Sequence, residues 1–93
     1  MSRKKDASVD SRIPPLNALK AFEAAARRLN ITRAAEELSV TPGAISQQIR
    51  ILEEHAGAPL FHREGRQIAL TELGAELYPL LHDGFDYLKR AGD

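Results

Sequence analysis

Apolar residues at Leu16, Leu19, Phe22, Ala26 and Leu29 recur at three- and four-residue intervals, which predicts a first helix over about residues 16–28. Leu16, Leu19 and Phe22 are its expected core residues, and Arg27 and Arg28 either suit the negative end of the helix dipole or contact a nucleic acid. A second helix is expected to start at Thr32, whose hydroxyl can cap free backbone N–H groups, and to bury Ala34, Ala35 and Leu38. Ser39 and Val40 then make a turn, Thr41 can cap a third helix, and Pro42 fits its first turn, where an N–H has no partner to lose. At 100° per residue, Ile45, Ile49, Leu52 and Ala56 fall on one side of that helix. Gly43, Gln47, Arg50 and Glu54 fall on the other, with Ser46 at its edge.

The pattern changes after Gly57 and Pro59. Leu60 to Leu70 reads as two very short extended runs around a turn at Glu64-Gly65, anchored by Leu60, Phe61, Ile68 and Leu70. Thr71 as N-cap and Glu72 in the first turn then open a long helix over roughly residues 71–90. Leu73, Leu77, Leu80, Leu81, Gly84 and Leu88 lie along one of its sides, with Tyr78, Phe85 and Tyr87 nearby. Pro79 removes one backbone hydrogen bond and Gly84 weakens the helix further, so a packing partner is expected. Residues 1–12 are polar, lack apolar periodicity and are bounded by Ile13-Pro-Pro15, the signature of a mobile arm. Its Arg3, Lys4 and Lys5 can brush phosphates or simply be solvated.

Two short helices joined by a three-residue turn make a helix-turn-helix, which lays its second helix in the DNA major groove. The residues of that second helix suit the task. Gln47 has the fork that binds adenine N6 and N7 together, Ser46 can donate or accept at a base or phosphate, and Gly43 lets the backbone approach closely. Glu53 and Glu54 sit toward the other end, so the helix is expected to enter N-terminus first. The hairpin would be a wing whose Arg63 and Arg66 reach the DNA backbone or the adjacent minor groove, although Glu64 partly neutralises its tip. The same pattern also describes a solvated helix face and an ordinary surface hairpin.

Ala34-Ala-Glu-Glu-Leu38, Pro42-Gly-Ala-Ile-Ser-Gln-Gln-Ile49, Leu52-Glu-Glu54, Leu60-Phe-His-Arg63 and Leu70-Thr-Glu-Leu-Gly74 resemble the DNA-binding domain of LysR-type transcriptional regulators. Pro14-Pro-Leu-Asn-Ala-Leu19 and Thr32-Arg-Ala-Ala35 are similar to the subgroup that includes the glycine-cleavage activator. The resemblance covers roughly residues 14–90 and departs from the usual pattern at Asn30, Ala56 and Ile51, changes that bear on packing and affinity. It implies a mainly α winged helix-turn-helix, with a three-helix core and a two-stranded wing over 13–70 and a linker/dimerisation helix over 71–93. Its implied DNA-binding residues are Thr32, Arg33, Thr41, Pro42, Gly43, Ser46, Gln47, Arg50, Arg63 and Arg66, with Arg66 ahead of Arg63 in the wing. It further implies an antiparallel homodimer through Leu73, Leu77, Leu80, Leu81, Phe85 and Leu88, the alternative being that this helix packs back on its own domain. Two recognition helices would then meet major-groove faces about 34 Å apart on a partly palindromic site. Effector binding belongs, in such proteins, to a larger domain of two α/β lobes that is no part of these residues, which suggests a DNA-binding portion of a longer regulator.

Composition adds limits. Ninety-three residues make one small domain, and a chain this short buries only about 60–65% of its unfolded surface, so a partner is physically plausible. With no cysteine, disulfides, thiolate catalysis and cysteine-ligated zinc are excluded and a reducing cytoplasm fits, while the family resemblance implies a place on the nucleoid. No apolar run approaches a membrane span. The 13 basic and 13 acidic residues cancel, which argues against strong non-specific DNA affinity. The acid is concentrated at the end: residues 71–93 carry Lys89 and Arg90 against Glu72, Glu76, Asp83, Asp86 and Asp93. His55, His62 and His82 are isolated, and Glu36-Glu37 and Glu53-Glu54 are adjacent pairs that point in different directions on a helix. No enzyme, metal or cofactor is expected. The two readings left open are a sequence-specific regulator and a protein–protein module of winged-helix shape without specific DNA binding.

Overall fold

A computed structural model describes residues 13–65 and 67–92. The arm over 1–12 and Arg66 lie outside the described residues. Four helices and one hairpin follow in the order α1 (Leu16–Arg28), α2 (Ile31–Leu38), α3 (Pro42–Ala56), β1 (Phe61–Glu64), β2 (Gln67–Leu70) and α4 (Glu72–Gly92).

Helix α1 is the hub, packed against α2, α3 and α4. It is buried without a break from Ala21 to Ala26, together with Ala18. Because five of those residues are alanines, neighbouring helices approach on more than one side, as a one-sided stripe would not allow. One cluster joins Ala21, Ala24 and Ala25 to Ala34 and Ala35 of α2, Ile45 and Ile49 of α3, and Ile68 of β2. A second joins Ala18, Phe22 and Ala26 to Leu52 and Leu60, with Leu73, Leu77 and Leu81 of α4 closing its far side. Phe22 and Phe61 meet ring against ring at 5.3 Å.

Several expected boundaries and core positions shift. Helix α2 starts at Ile31, and its cap is Asn30, not Thr32: extended Asn30 accepts the Arg33 N–H at 2.8 Å through its side-chain oxygen. Leu16 is 60% exposed on the rim of an open groove beneath the end of α4, while Leu19 is half-buried and Phe22 fully buried. Ala56 is exposed, since α3 runs past the core before Gly57 ends it in the left-handed region at φ +78°. Leu38 is half-buried.

The turn forms as the sequence suggests. Ser39 adopts φ +59°, the Val40 N–H donates to Ala35 O, Thr41 Oγ1 accepts from the Ala44 N–H at 3.1 Å, and Pro42 is the first residue of α3. The hairpin pairs Phe61 with Leu70 and Glu64 with Gln67, antiparallel. Its base is held from α3, where Glu53 Oε2 accepts the N–H groups of Leu60 (2.8 Å) and Phe61 (3.4 Å). Thr71 caps α4, which runs unbroken through Pro79 to Gly92.

Candidate nucleic-acid interface

Ile45, Ile49 and Leu52 fix the roll of α3 by sinking into the core, and that leaves Gly43, Gln47, Arg50 and Glu54 exposed, with Ser46 half-buried. Thr41 and Pro42 are exposed at its start. A cleft of about 630 Å³ runs between this start, the start of α2 and the hairpin, lined among others by Arg28, Thr32, Arg33, Gly43, Ser46 and Arg63. A smaller hollow of about 160 Å³ next to it brings Arg50 beside Ser46 and Arg63. Most of the residues expected to touch DNA thus border one continuous surface formed by three separate elements. Gln47 lies on the exposed face of α3 outside the cleft lining. Arg66 cannot be placed, being outside the described residues.

Gly43 has no internal reason to be glycine, since a Cβ there would meet nothing within 4 Å. A glycine inside a helix costs roughly 0.5–1 kcal/mol relative to alanine. The open space therefore suits approach by something from outside the fold.

Charge is divided more sharply than the totals suggest. Glu37 of α2 accepts from Arg27 Nη2 at 2.5 Å and Arg28 Nε at 2.6 Å. Those two guanidiniums, Arg27 first, hold its carboxyl down at about 2. Glu23 accepts Arg27 through both oxygens, at 3.0 and 3.1 Å, and also meets His82. Burial pushes the Glu23 carboxyl up, but the Arg27 and His82 hydrogen bonds outweigh it and leave it below its ordinary value. Three acids, Glu23, Glu37 and Glu53, are thus engaged inside the domain. Among the described residues, no carboxylate lies within ion-pair distance of Arg33, Arg50 or Arg63. The cleft is therefore edged by Arg33 and Arg63 with no acid in its lining, although the chain as a whole is neutral.

The sequence pattern does not single out Asn30 or Gln67, which also line the cleft, and it leaves Arg28 between a dipole role and DNA contact. Asn30 carries a local signal, an Asx residue three positions before the N–H it caps. For Gln67 no local signal exists, because the hairpin register alone brings it there.

The face expected to dimerise is split. Leu73, Leu77 and Leu81 pack partly on this domain's own core and Phe85 is half-buried, whereas Leu80 and Leu88 are 71% and 67% exposed. Among the described residues no group of three or more metal-ligating side chains occurs, and no helix is long and apolar enough to cross a membrane.

Residues 16–75 match the family described as bacterial regulatory helix-turn-helix protein, lysR family. The transcriptional activator AmpR of Providencia stuartii is 55% identical over 75 residues, which are 81% of this chain and 26% of that protein. The glycine cleavage system transcriptional activator of Escherichia coli (strain K12) is 48% identical over 83 residues, 89% of this chain and 27% of that protein. The chain therefore spans about a quarter of the length of these curated relatives. Among solved structures, the CbnR DNA-binding domain in complex with DNA superposes with a TM-score of 0.75 at 32% identity, covering 85% of this chain and 91% of that one. The BenM DNA-binding domain on its catB site 1 DNA gives 0.76 at 27% identity, covering 83% and 86%.

Proposed function

The chain belongs to the LysR family of bacterial helix-turn-helix regulatory proteins, and from that premise we propose that it reads double-stranded DNA by sequence, as the DNA-binding portion of a transcription regulator. The observation that carries the reading is the bare side of α3, where Gly43, Gln47 and Arg50 are exposed and Ser46 is half-buried beside a cleft edged by Arg33 and Arg63.

In this reading Gln47 and Ser46 meet base edges, while Gly43 and the N-terminal turn of α3 lie close to the DNA backbone. Arg33 and Thr32 from the start of α2, Thr41 and Pro42 from the start of α3, and Arg50 position the groove. Arg63 and Arg66 act from the wing. Residues 13–70 form the reading unit and 71–93 the helix through which two copies pair. Leu80 and Leu88, with Tyr87, supply its exposed apolar surface, and Leu73, Leu77, Leu81 and Phe85 divide between this contact and their own core. The function is binding rather than catalysis, in the cytoplasm on the nucleoid. Effector sensing falls to a domain outside these residues.

Selection from a randomised duplex pool at near-physiological salt tests the reading. Retention of an interrupted inverted repeat, with half-sites about one helical turn apart, supports a dimeric major-groove reader. Retained sequences that match the input pool would overturn sequence reading and leave a protein-interaction module.

A further inference from the structure

The two halves of α4 are held differently. Before Pro79, Leu73, Gly74, Leu77 and Tyr78 lie against the domain, and Gly74 sits so close to the hairpin base that a Cβ would come within 2.3 Å of Leu60 O. After Pro79, Leu81 is the last residue of the helix that packs against the core cluster. Beyond it the helix overhangs α1, leaving an open groove of about 440 Å³ between Leu16 and Lys20 on one side and Leu88 and Lys89 on the other. The proline removes one helical hydrogen bond between these halves. Beyond Leu81 only Phe85 is half-buried, so packing holds the distal half less firmly than the proximal one.

One polar contact crosses to it. His82 Nδ1 lies 2.9 Å from Glu23 Oε2, three residues past the proline, and the Tyr78 ring stacks on the imidazole at 5.5 Å from the preceding turn. The Glu23 side chain is only 11% exposed and is oriented by its two-pronged contact with Arg27, so the acceptor is rigid. Beyond the cap at Thr71, this is the one side-chain hydrogen bond joining α4 to the rest of the domain among the described residues. A hydrogen bond to a buried charged acceptor is directional and stronger than a neutral one.

We propose that His82 and Glu23 form a latch that sets the direction of the distal half of α4, and through it the spacing of the two DNA half-sites. The spacing part rests on the dimer reading above. If two copies pair through the distal surface of α4, a change in the angle of that segment moves one recognition helix relative to the other. The bases read by each α3 stay the same.

The absence of native cysteine makes the latch measurable. Spin labels are placed on Asn17→Cys and Lys89→Cys, and the doubly labelled chain is diluted into unlabelled protein so that pulsed EPR reads distances within one chain. The latch predicts a narrow distribution in the parent, a broad one in His82→Ala, and recovery in His82→Gln, whose amide N–H can donate to the same carboxylate. A distribution that stays narrow in His82→Ala overturns the latch. A broad one that His82→Gln fails to narrow also overturns it, because the side chain then acts by bulk. Duplex selection with the unlabelled proteins reads the second part: the parent keeps a single spacing, while His82→Ala loses that preference and keeps its half-site bases. Unchanged spacing in a broadened variant overturns control of spacing. Selection of single half-sites by a monomeric parent overturns the dimer reading and the spacing claim with it, while the intrachain distances still report on the latch.

Discussion

Helices α3 and α4 begin with the same chemistry and end in opposite uses. Each opens on a threonine, Thr41 or Thr71, whose hydroxyl accepts the N–H three residues on at 3.1 Å, and each has a glycine in its first turn. In α4 the glycine is demanded from within, because the Leu60 carbonyl oxygen occupies the place of a Cβ at Gly74. In α3 nothing inside the domain touches the corresponding space at Gly43. Thr71 is likewise tied inward, its hydroxyl donating to Pro59 O at 2.8 Å, whereas Thr41 is exposed. One helix start has been built into the fold and the other left bare, so a residue's cost to stability and its cost to binding should separate cleanly between them.

The harshest way to break the comparison is Gly74→Ala. The obstructing atom is backbone oxygen and cannot swing aside, so α4 or the hairpin base must shift. Overpacking of this kind costs about 3 kcal/mol, and the thermal midpoint should fall by more than roughly 10 °C for a domain of this size. An unchanged midpoint in a melting scan would mean that α4 is free to slide on the hairpin.

The converse test is Gln47→Ala, which removes an exposed side chain from the bare helix. Its stability should match the parent within about 0.5 kcal/mol, while affinity for the selected operator falls by about 1–3 kcal/mol and discrimination at one base position relaxes. Fluorescence anisotropy with the operator and with single-base variants of it separates these effects. Equal losses on every sequence would place Gln47 on the phosphate backbone.

Local signals explain how much of this could be seen in the residues beforehand. The limits of α3 follow from Thr41-Pro42 at one end and Gly57 at the other, and both hold. The start of α2 was read from Thr32, but Asn30 two positions earlier is also a short polar residue that can cap, and periodicity cannot choose between them. Only the extended backbone at Asn30 does so. Periodicity also marked Leu16 and Ala56 as facing inward, but it cannot say how far along a helix its neighbours reach. Contacts that span the chain left no trace at all. Glu23 with His82 lies 59 positions apart, and Glu53 reaches the Leu60 and Phe61 amides across the end of its own helix. The candidate interface was more legible than the core because its chemistry resides in single side chains on a helix whose roll three apolar anchors fix.

Gly43→Ala sharpens the comparison with a change of opposite sign in two assays. Alanine gains up to about 1 kcal/mol of helix stability, less this near the start of α3, and no internal clash opposes it. Operator binding should nevertheless weaken if, as proposed, the DNA backbone approaches through the space that the methyl group fills. A variant that is both more stable and equally tight would remove Gly43 from the interface and leave Ser46 and Gln47 to define it.

The smallest effect concerns the edge of that same cleft, where Arg28 is held back by Glu37. The folded state keeps the Glu37 carboxyl at about 2, below its ordinary 4.5. Between these values the unfolded chain binds more protons than the folded one, so the contribution is complete above pH 4.5 and is lost as pH falls toward 2. Glu23 shifts in the same direction and keeps its own share of the acid dependence. Glu37→Gln should therefore flatten the acid side of a stability profile without abolishing it. With 28% of the Glu37 side chain exposed, solvent screening keeps the change under about 1 kcal/mol. At neutral pH the same substitution releases Arg28 toward the cleft, and one added phosphate contact steepens the logarithmic salt dependence of DNA binding by roughly 0.9. If the slope stays as in the parent while the acid limb flattens, Arg28 serves only the α1–α2 junction, and the basic side chains beside the bare start of α3 are Arg33, Arg50 and those of the wing.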